Sequence, residues 1–196
     1  FRFISQYWTA TTYVDEPNYN LRNRNIPQSQ FSELYRDVLL DLKDAKSNVE
    51  NNELLTQDEK DARKGQIEVM QVYAWQVLVD TFGDIPYSEG LSAETNTLPA
   101  YDDAATIYED LISRLQDAYT LLTAGQGYNS ADVVFSGEMG KWQKFNNSLQ
   151  LRLAMRISDS NPALSQSAAE DAVSNGLLTS NDDNVLIAYQ SSPPNT

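Results

Sequence analysis

One segment of the chain recurs 73 residues later. Residues 34–45 (LYRDVLLDLKDA) and 107–118 (IYEDLISRLQDA) coincide in their apolar and aromatic positions, and both copies carry the same two aspartates, Asp37/Asp110 and Asp44/Asp117. Each copy begins a predicted helix that a second, more apolar helix follows. Helix pairs of this kind cannot bury their apolar faces alone, so they stack into a helical-repeat layer. Such layers mostly bind other molecules, and chemistry on them is less common.

Cysteine and histidine are both absent from the 196 residues. This excludes disulfides, thiolate metal sites, cysteine nucleophiles and every mechanism with a histidine base. Carboxylate, lysine and tyrosine chemistry stay open, and a glycosidase needs only two carboxylates. The acidic residues fall mostly on predicted helix surfaces and in turns, and no pair stands out as flanking one cleft. We therefore expect a protein that is not an enzyme and uses no cofactor or metal.

The chain is acidic, with 14 Lys and Arg against 28 Asp and Glu, a net charge of −14. A nucleic-acid partner is not expected, because phosphate binding needs a basic surface. A neutral ligand such as a sugar, or a basic partner, fits this charge better. No apolar run approaches the roughly 20 residues of a membrane span. The start at Phe1 and the loop-like end at 191–196 lead us to expect a piece of a longer protein.

Apolar periodicity predicts about five helices and an all-α fold. The first covers about 28–50, and the second runs from a capping box at Thr56 to Gly83, with Gly65 permitting a close helix contact. The third begins at Asp102 or Asp103 and ends at Gly125. The remaining elements are a helix over 139–158, a helix from Asn161 to Gly176, a short helix through Tyr7 and Trp8, and a short strand over 185–189.

The N-terminal region is rich in aromatic residues set among Thr, Asn and Gln. Tyr7, Trp8, Tyr13 and Tyr19 belong to this group, together with Asn20. The C–H face of a pyranose ring stacks on aromatic rings, while amide groups bond its hydroxyls. We identify Trp8, Tyr13, Tyr19 and Asn20 as candidate ligand-binding residues, and we favour Trp8 and Tyr19 as ligand-facing. The alternative is that these rings fasten the segment onto the helices.

Two arginines lie one turn apart on the predicted fourth helix, Arg152 and Arg156. We expect structural ion pairs between them and the aspartates of the repeated segments. The acidic stretch 181–184 lacks the glycine and distal glutamate of a calcium loop, and it predicts a solvated loop.

Three stretches together resemble the SusD/RagB family of outer-membrane nutrient-binding lipoproteins. The first is VDTFGDIPYSE at 79–89, which follows a long apolar helix. The second is Tyr101-Asp102 with IYEDL at 107–111 and LQDA at 115–118. The third is KWQKFNNSLQLRLAMRIS at 141–158. Their order and spacing carry the resemblance, which covers about residues 30 to 160.

The resemblance implies a tetratricopeptide-like scaffold in a lipoprotein exposed at the outer-membrane surface. It further implies non-enzymatic binding of an oligosaccharide or polysaccharide and its delivery to a SusC-like, TonB-dependent barrel. The family's lipidated cysteine and its C-terminal portion are missing from the chain. The alternative is a helical-repeat module for protein–protein interaction that binds no sugar.

We expect residues 1–196 to form one helical domain of a longer protein of this kind. Within it we assign an aromatic N-terminal segment (1–26), a first helix hairpin (27–82), an insertion (83–100), a second hairpin (101–160), and a fifth helix with a tail (161–196).

Overall fold

A computed structural model of the chain describes residues 2–22, 25–92 and 94–186. Its α-helices are α1 (Ile26–Glu33), α2 (Leu40–Glu50), α3 (Gln57–Phe82), α4 (Ala104–Leu122), α5 (Met139–Arg156) and α6 (Pro162–Ser174). A π-helical segment (Leu34–Leu39) joins α1 to α2, and two 3₁₀ turns cover Asn129–Ala131 and Asn181–Asp183. The described residues contain no strand, and Ile85 and Asp102 form an isolated antiparallel bridge. The all-α prediction is confirmed.

Two of the smaller predicted elements fare differently. Residues 2–8 form turns and bends, so the predicted short helix through Tyr7 and Trp8 is wrong. Local backbone bonds such as Gln6 N–H to the Phe3 carbonyl close turns there instead of continuing into a helical ladder. Most of the predicted strand over 185–189 lies outside the described residues, and Val185 and Leu186 are not in a strand.

The first long helix is continuous from Ile26 to Glu50 but is not a uniform α-helix. In its middle the Leu40 N–H bonds to the Tyr35 carbonyl, five residues back, which is the π pattern. The wider turn rotates the residues that follow it, and Leu39 becomes fully buried while Leu40 stays exposed. The sequence predicted a single α-helical stripe, so this segment was not anticipated.

Capping side chains set where the other helices begin. The Thr56 hydroxyl accepts from the Glu59 N–H at 3.3 Å, and Glu59 accepts from the Thr56 N–H at 2.9 Å, which is a capping box. Asp103 accepts from the first-turn N–H groups of α4, and Asn161 does the same for α6. These predicted starts are confirmed. Helices α4 and α5 end two to three residues earlier than predicted, at Leu122 and Arg156.

Helix α3 is the central element of the core and packs against α2, α4 and α5. Its buried side chains include Val69, Val72, Trp75 and Leu78. Gly65 lies where α3 meets α4, because a methyl group there would come within 3.0 Å of Leu122 Cγ. The predicted close helix contact at Gly65 is therefore confirmed. No helix in the described part of the chain is both long and apolar enough to cross a membrane.

Candidate functional site

The N-terminal segment, residues 2–22, folds largely on itself. Backbone bonds run from the Trp8 N–H to the Arg2 carbonyl at 3.2 Å and from the Asn20 N–H to the Asp15 carbonyl at 2.8 Å. The Gln6 side-chain amide reaches the Pro17 carbonyl at 3.4 Å and joins the two halves of the segment. The segment is therefore held as a series of turns that present its side chains outward.

The large aromatic side chains of this segment face solvent. The exposed fraction is 85% for Tyr7, 56% for Trp8, 80% for Tyr13 and 60% for Tyr19. An aromatic ring fastened onto the helices would be buried, since ring burial is what makes such a contact stabilising. More than half of the surface of each of these four side chains is therefore exposed to solvent.

Each candidate residue has a defined local setting. Trp8 packs edge-on against Phe3, with ring centroids 6.3 Å apart, and the Arg2 guanidinium lies 4.7 Å from the Trp8 ring centre. Asn20 donates its side-chain amide to Asp15 Oδ1 at 3.2 Å. The backbone at Tyr13 and Tyr19 is left-handed, with φ of 58° and 56°.

Left-handed backbone is unusual for non-glycine residues and persists where surrounding contacts impose it. Here it turns the chain at both tyrosines and keeps their rings in solvent. Exposed rings beside amide and carboxylate groups can stack on an apolar molecular face and bond hydroxyls at its edge. Such a surface needs neither a metal nor a nucleophile.

A second group of polar residues was missed from the sequence and lies beneath the insertion. Arg114 on α4 forms an ion pair with Glu68 on α3 and donates to the Tyr87 hydroxyl at 2.6 Å. The Tyr87 hydroxyl donates in turn to Asp110, and Lys46 on α2 completes the network with a bond to Glu68. Tyr87 falls in the insertion predicted from the sequence (83–100), and no sequence signal indicated that it would meet these helices.

The electrostatic environment of this network favours the ionised form of Glu68 beside Arg114. Burial raises the pKa of Glu68, but Arg114 and Lys46 outweigh it and hold that pKa below its ordinary value. Burial also raises the pKa of the Tyr87 phenol. A cleft of about 370 Å³ opens beside these groups, with Gln71, Ser88 and Ser92 also on its wall. The charges here are paired within the protein, so we assign the network to holding the insertion against α2, α3 and α4.

The predicted partners of Arg152 and Arg156 are wrong. Arg156 pairs with Asp80 on α3 at 3.3 Å, and Arg152 donates to the Gln76 side chain at 3.4 Å. The turn of α3 that faces α5 carries these partners, whereas the aspartates of the repeated segments point elsewhere. Asp37, for example, pairs with its neighbour Arg36.

The acidic stretch 181–184 contains a 3₁₀ turn (Asn181–Asp183), and the Asp183 side chain holds this turn in place. That carboxylate binds Lys144 at 3.0 Å and accepts from the Thr179 N–H at 3.1 Å. Across residues 2–22, 25–92 and 94–186, no cluster of three or more Asp or Glu side chains is arranged to hold a metal ion.

Helix hairpins built from a repeated segment, with an irregular insertion and an exposed aromatic segment, define a tetratricopeptide-like helical scaffold. The chain belongs to the SusD-like family. The family described as starch-binding and associating with the outer membrane matches residues 1–196. Comparison with curated proteins gives no match.

Solved structures of the same family share this fold. A chitin-binding protein is 31% identical, with a TM-score of 0.68 over 81% of this chain and 33% of its own. A chitin-binding SusD homologue from Flavobacterium johnsoniae is 28% identical, with a TM-score of 0.68 over 78% of this chain and 32% of its own. A SusD-like protein from Bacteroides thetaiotaomicron is 28% identical, with a TM-score of 0.66 over 79% and 31%. The chain spans about a third of the length of these relatives.

Proposed function

We propose that this chain binds a neutral glycan at the outer-membrane surface, through the aromatic segment of residues 2–22, without catalysis. The observation that carries the proposal is the exposure of Tyr7, Trp8, Tyr13 and Tyr19 on one folded segment. A single exposed aromatic ring needs no partner, but several exposed rings on one short segment are typical of a surface that a partner covers. Membership of a family described as starch-binding supports a sugar as that partner.

The chemistry of the segment fits an oligosaccharide. Trp8 and Tyr19 offer ring faces for stacking, and Asn20 offers an amide for hydroxyl groups. With a net charge of −14, the protein field does not favour an anionic ligand over a neutral one at this surface. Two structural relatives are described as chitin-binding, and the family is described as starch-binding, so chitin and starch oligosaccharides are the first to test.

Partner and location follow from the family. We propose that residues 1–196 form one helical domain of a longer lipoprotein on the cell surface. That protein passes its glycan to a SusC-like, TonB-dependent barrel in the outer membrane. The family description names association with the outer membrane and supports this arrangement.

Binding is tested by titration calorimetry of the full-length protein with chitohexaose and with maltohexaose. We expect one of the two to bind, and Trp8→Ala and Tyr19→Ala each to weaken that binding at least tenfold, since stacking on one ring contributes on the order of 1–3 kcal/mol where it has been measured for planar ligands. Tyr101→Ala is the matched control, because Tyr101 is 68% exposed but lies outside the segment. It should bind like the wild type.

Equal affinity in wild type, Trp8→Ala and Tyr19→Ala would place the glycan site elsewhere. No binding of either hexasaccharide would instead favour the alternative, a module that binds protein and no sugar.

The transport partner is tested separately by purifying the full-length protein from its native outer membrane in mild detergent. Mass spectrometry should find one large β-barrel protein at a stoichiometric level. If no barrel co-purifies, the delivery step is contradicted, while the glycan titration still reports on binding.

A further inference from the structure

A second concave surface lies between α3 and α5, away from the aromatic segment. It is a cleft of about 410 Å³, within the range typical of small-molecule sites. Helix α3 contributes Tyr73, Gln76 and Asp80, which recur every three to four residues and so share one face, and Thr81 borders that face. Helix α5 contributes Arg152 and Arg156, one turn apart. The two polar rows face each other across the cleft.

The floor of the cleft is pre-arranged by buried hydrogen bonds. Gln76 is 1% exposed, donates to Asp80 at 3.2 Å and accepts from Arg152 at 3.4 Å. Asp80 also accepts from the Tyr108 hydroxyl and pairs with Arg156. Three donors therefore hold the Asp80 carboxylate, and its charge is balanced within the protein.

Within the described part of the chain, Arg156 has an acidic partner and Arg152 has none. The ion pairs among the described residues do not include Arg152, although acidic side chains outnumber basic ones two to one in the chain. A guanidinium has five N–H donors in a planar fork that matches a carboxylate. The bond to Gln76, at the long end of the hydrogen-bond range, uses one of them. The cleft thus has a net positive charge and unused donors.

An aromatic ring lies next to these donors. Tyr73 is 39% exposed, and the Arg152 guanidinium lies 5.9 Å from its ring centre. The Phe145 ring lies beside the Tyr73 ring, with centroids 6.4 Å apart and planes inclined by 51°. The Tyr73 ring therefore packs against neighbouring side chains and is still partly open to solvent.

We propose that this cleft binds a sugar unit bearing a carboxylate, a uronic acid, with Arg152 on the carboxylate and Tyr73 on the ring. The Thr81 hydroxyl and the solvent-facing side of the Asp80 carboxylate form hydrogen bonds with hydroxyl groups of the sugar. An acidic peptide would use the arginine, but it would leave the ring and the hydroxyl-bonding groups without a role. The inference rests on the proposed function in taking the ligand to be a glycan, and it adds an acidic sugar class at a separate site.

The test is titration of the full-length protein with trigalacturonic acid and with neutral galactotriose. We expect the acidic trisaccharide to bind at least tenfold more tightly, and this preference to shrink between 50 mM and 500 mM salt, because exposed charges are screened. Arg152→Gln keeps the length and polarity but removes the charge, and it should abolish the preference. Arg36→Gln, which also removes an exposed arginine outside the cleft, should leave the preference intact.

A second variant separates this site from the aromatic segment. Trp8→Ala should weaken hexasaccharide binding and leave trigalacturonic acid binding unchanged, whereas Tyr73→Ala should do the reverse. Equal affinity for the acidic and neutral trisaccharides, or equal loss in Arg152→Gln and Arg36→Gln, would overturn the proposal. Loss of acidic binding in Trp8→Ala would also overturn it, because it would merge the two sites. If only the hexasaccharides fail to bind, the proposed function is contradicted, but the proposal for this cleft is not.

Discussion

Tyr35 and Tyr108 occupy the same position in the two copies of the repeated segment, and each donates its hydroxyl to a residue in the last turn of α3 or in the loop after it. The Tyr35 hydroxyl donates to the Pro86 carbonyl at 2.7 Å, just beyond the helix. The Tyr108 hydroxyl donates to Asp80 in its last turn. Both copies of the repeat therefore use this tyrosine hydroxyl as a donor, one to the loop after α3 and one to the last turn of α3.

This relationship predicts that Tyr35→Phe and Tyr108→Phe each lower the free energy of unfolding by about 1 kcal/mol, since each removes one partly buried hydrogen bond. Urea denaturation measures both. Tyr101→Phe, at an exposed tyrosine, should change the free energy by less than about 0.5 kcal/mol. Losses no larger than that of the control would show that the hydroxyls do not fasten α3.

Gly65 and Gly140 form a matched pair of helical glycines. A methyl group at Gly65 would lie 3.0–3.1 Å from Leu122, including its backbone nitrogen, whereas one at Gly140 meets nothing within 4 Å. Gly140→Ala should stabilise the protein by less than about 0.5 kcal/mol, because Gly140 lies in the first turn of α5 and the larger propensity gain belongs to helix interiors. Gly65→Ala should destabilise it by about 1 kcal/mol or more, because overpacking outweighs the gain in helix propensity. Thermal and urea unfolding compare the two, and equal stabilisation would contradict the close contact of α3 with α4.

Asp132 is a buried carboxylate that organises the loop before α5. It accepts from the N–H groups of Val134, Phe135 and Gly137 and from the Trp142 indole at 2.7 Å. Asp132→Ala removes all of these bonds and should cost about 2–4 kcal/mol, since each buried donor left unpaired costs about 1–3 kcal/mol before relaxation. Asp41→Asn, at an exposed helical position, is the control. A cost below 1 kcal/mol in urea denaturation would mean that the loop does not depend on Asp132.

Glu68 gives the protein a predicted acid sensitivity. Its pKa is lowered in the fold, so its ion pair stabilises the protein fully above its unfolded pKa of 4.5. That contribution is lost as pH falls through the lower, folded pKa. Glu68→Gln should cost about 3 kcal/mol at pH 7, because it leaves Arg114 buried without its partner. Between about pH 5 and pH 2 the variant should also lose less stability than the wild type.

The pH series is measured by urea denaturation at each pH, with Glu53→Gln as the exposed control. If Glu68→Gln and wild type lost stability in parallel on acidification, the Glu68 pKa would not be lowered by folding.

Local signals in the sequence were sufficient to predict the helices and most of their ends. Thr56, Asp103 and Asn161 begin helices because each side chain bonds N–H groups two or three residues away, and a pattern over four residues encodes that.

Contacts between distant residues were not predictable in this way. Whether Arg156 meets Asp80 or Asp110 depends on how α5 is rotated against its neighbours, and apolar periodicity leaves several rotations open. The π-helical segment at Leu34–Leu39 was not predicted for a related reason. A single wider turn changes the spacing of the apolar residues along a short helix too little to be recognised in the sequence. For the candidate site, the composition of the N-terminal segment indicated the aromatic residues. Their exposure depends on the left-handed backbone at Tyr13 and Tyr19, which no sequence motif predicts.

The measurement that tests the central claim most directly is a crystal structure of the full-length protein soaked with the hexasaccharide that binds more tightly. We predict sugar rings stacked on Trp8 or Tyr19, with Asn20 within hydrogen-bond distance of a hydroxyl. Well-ordered sugar bound elsewhere, with the segment of residues 2–22 empty, would contradict the claim.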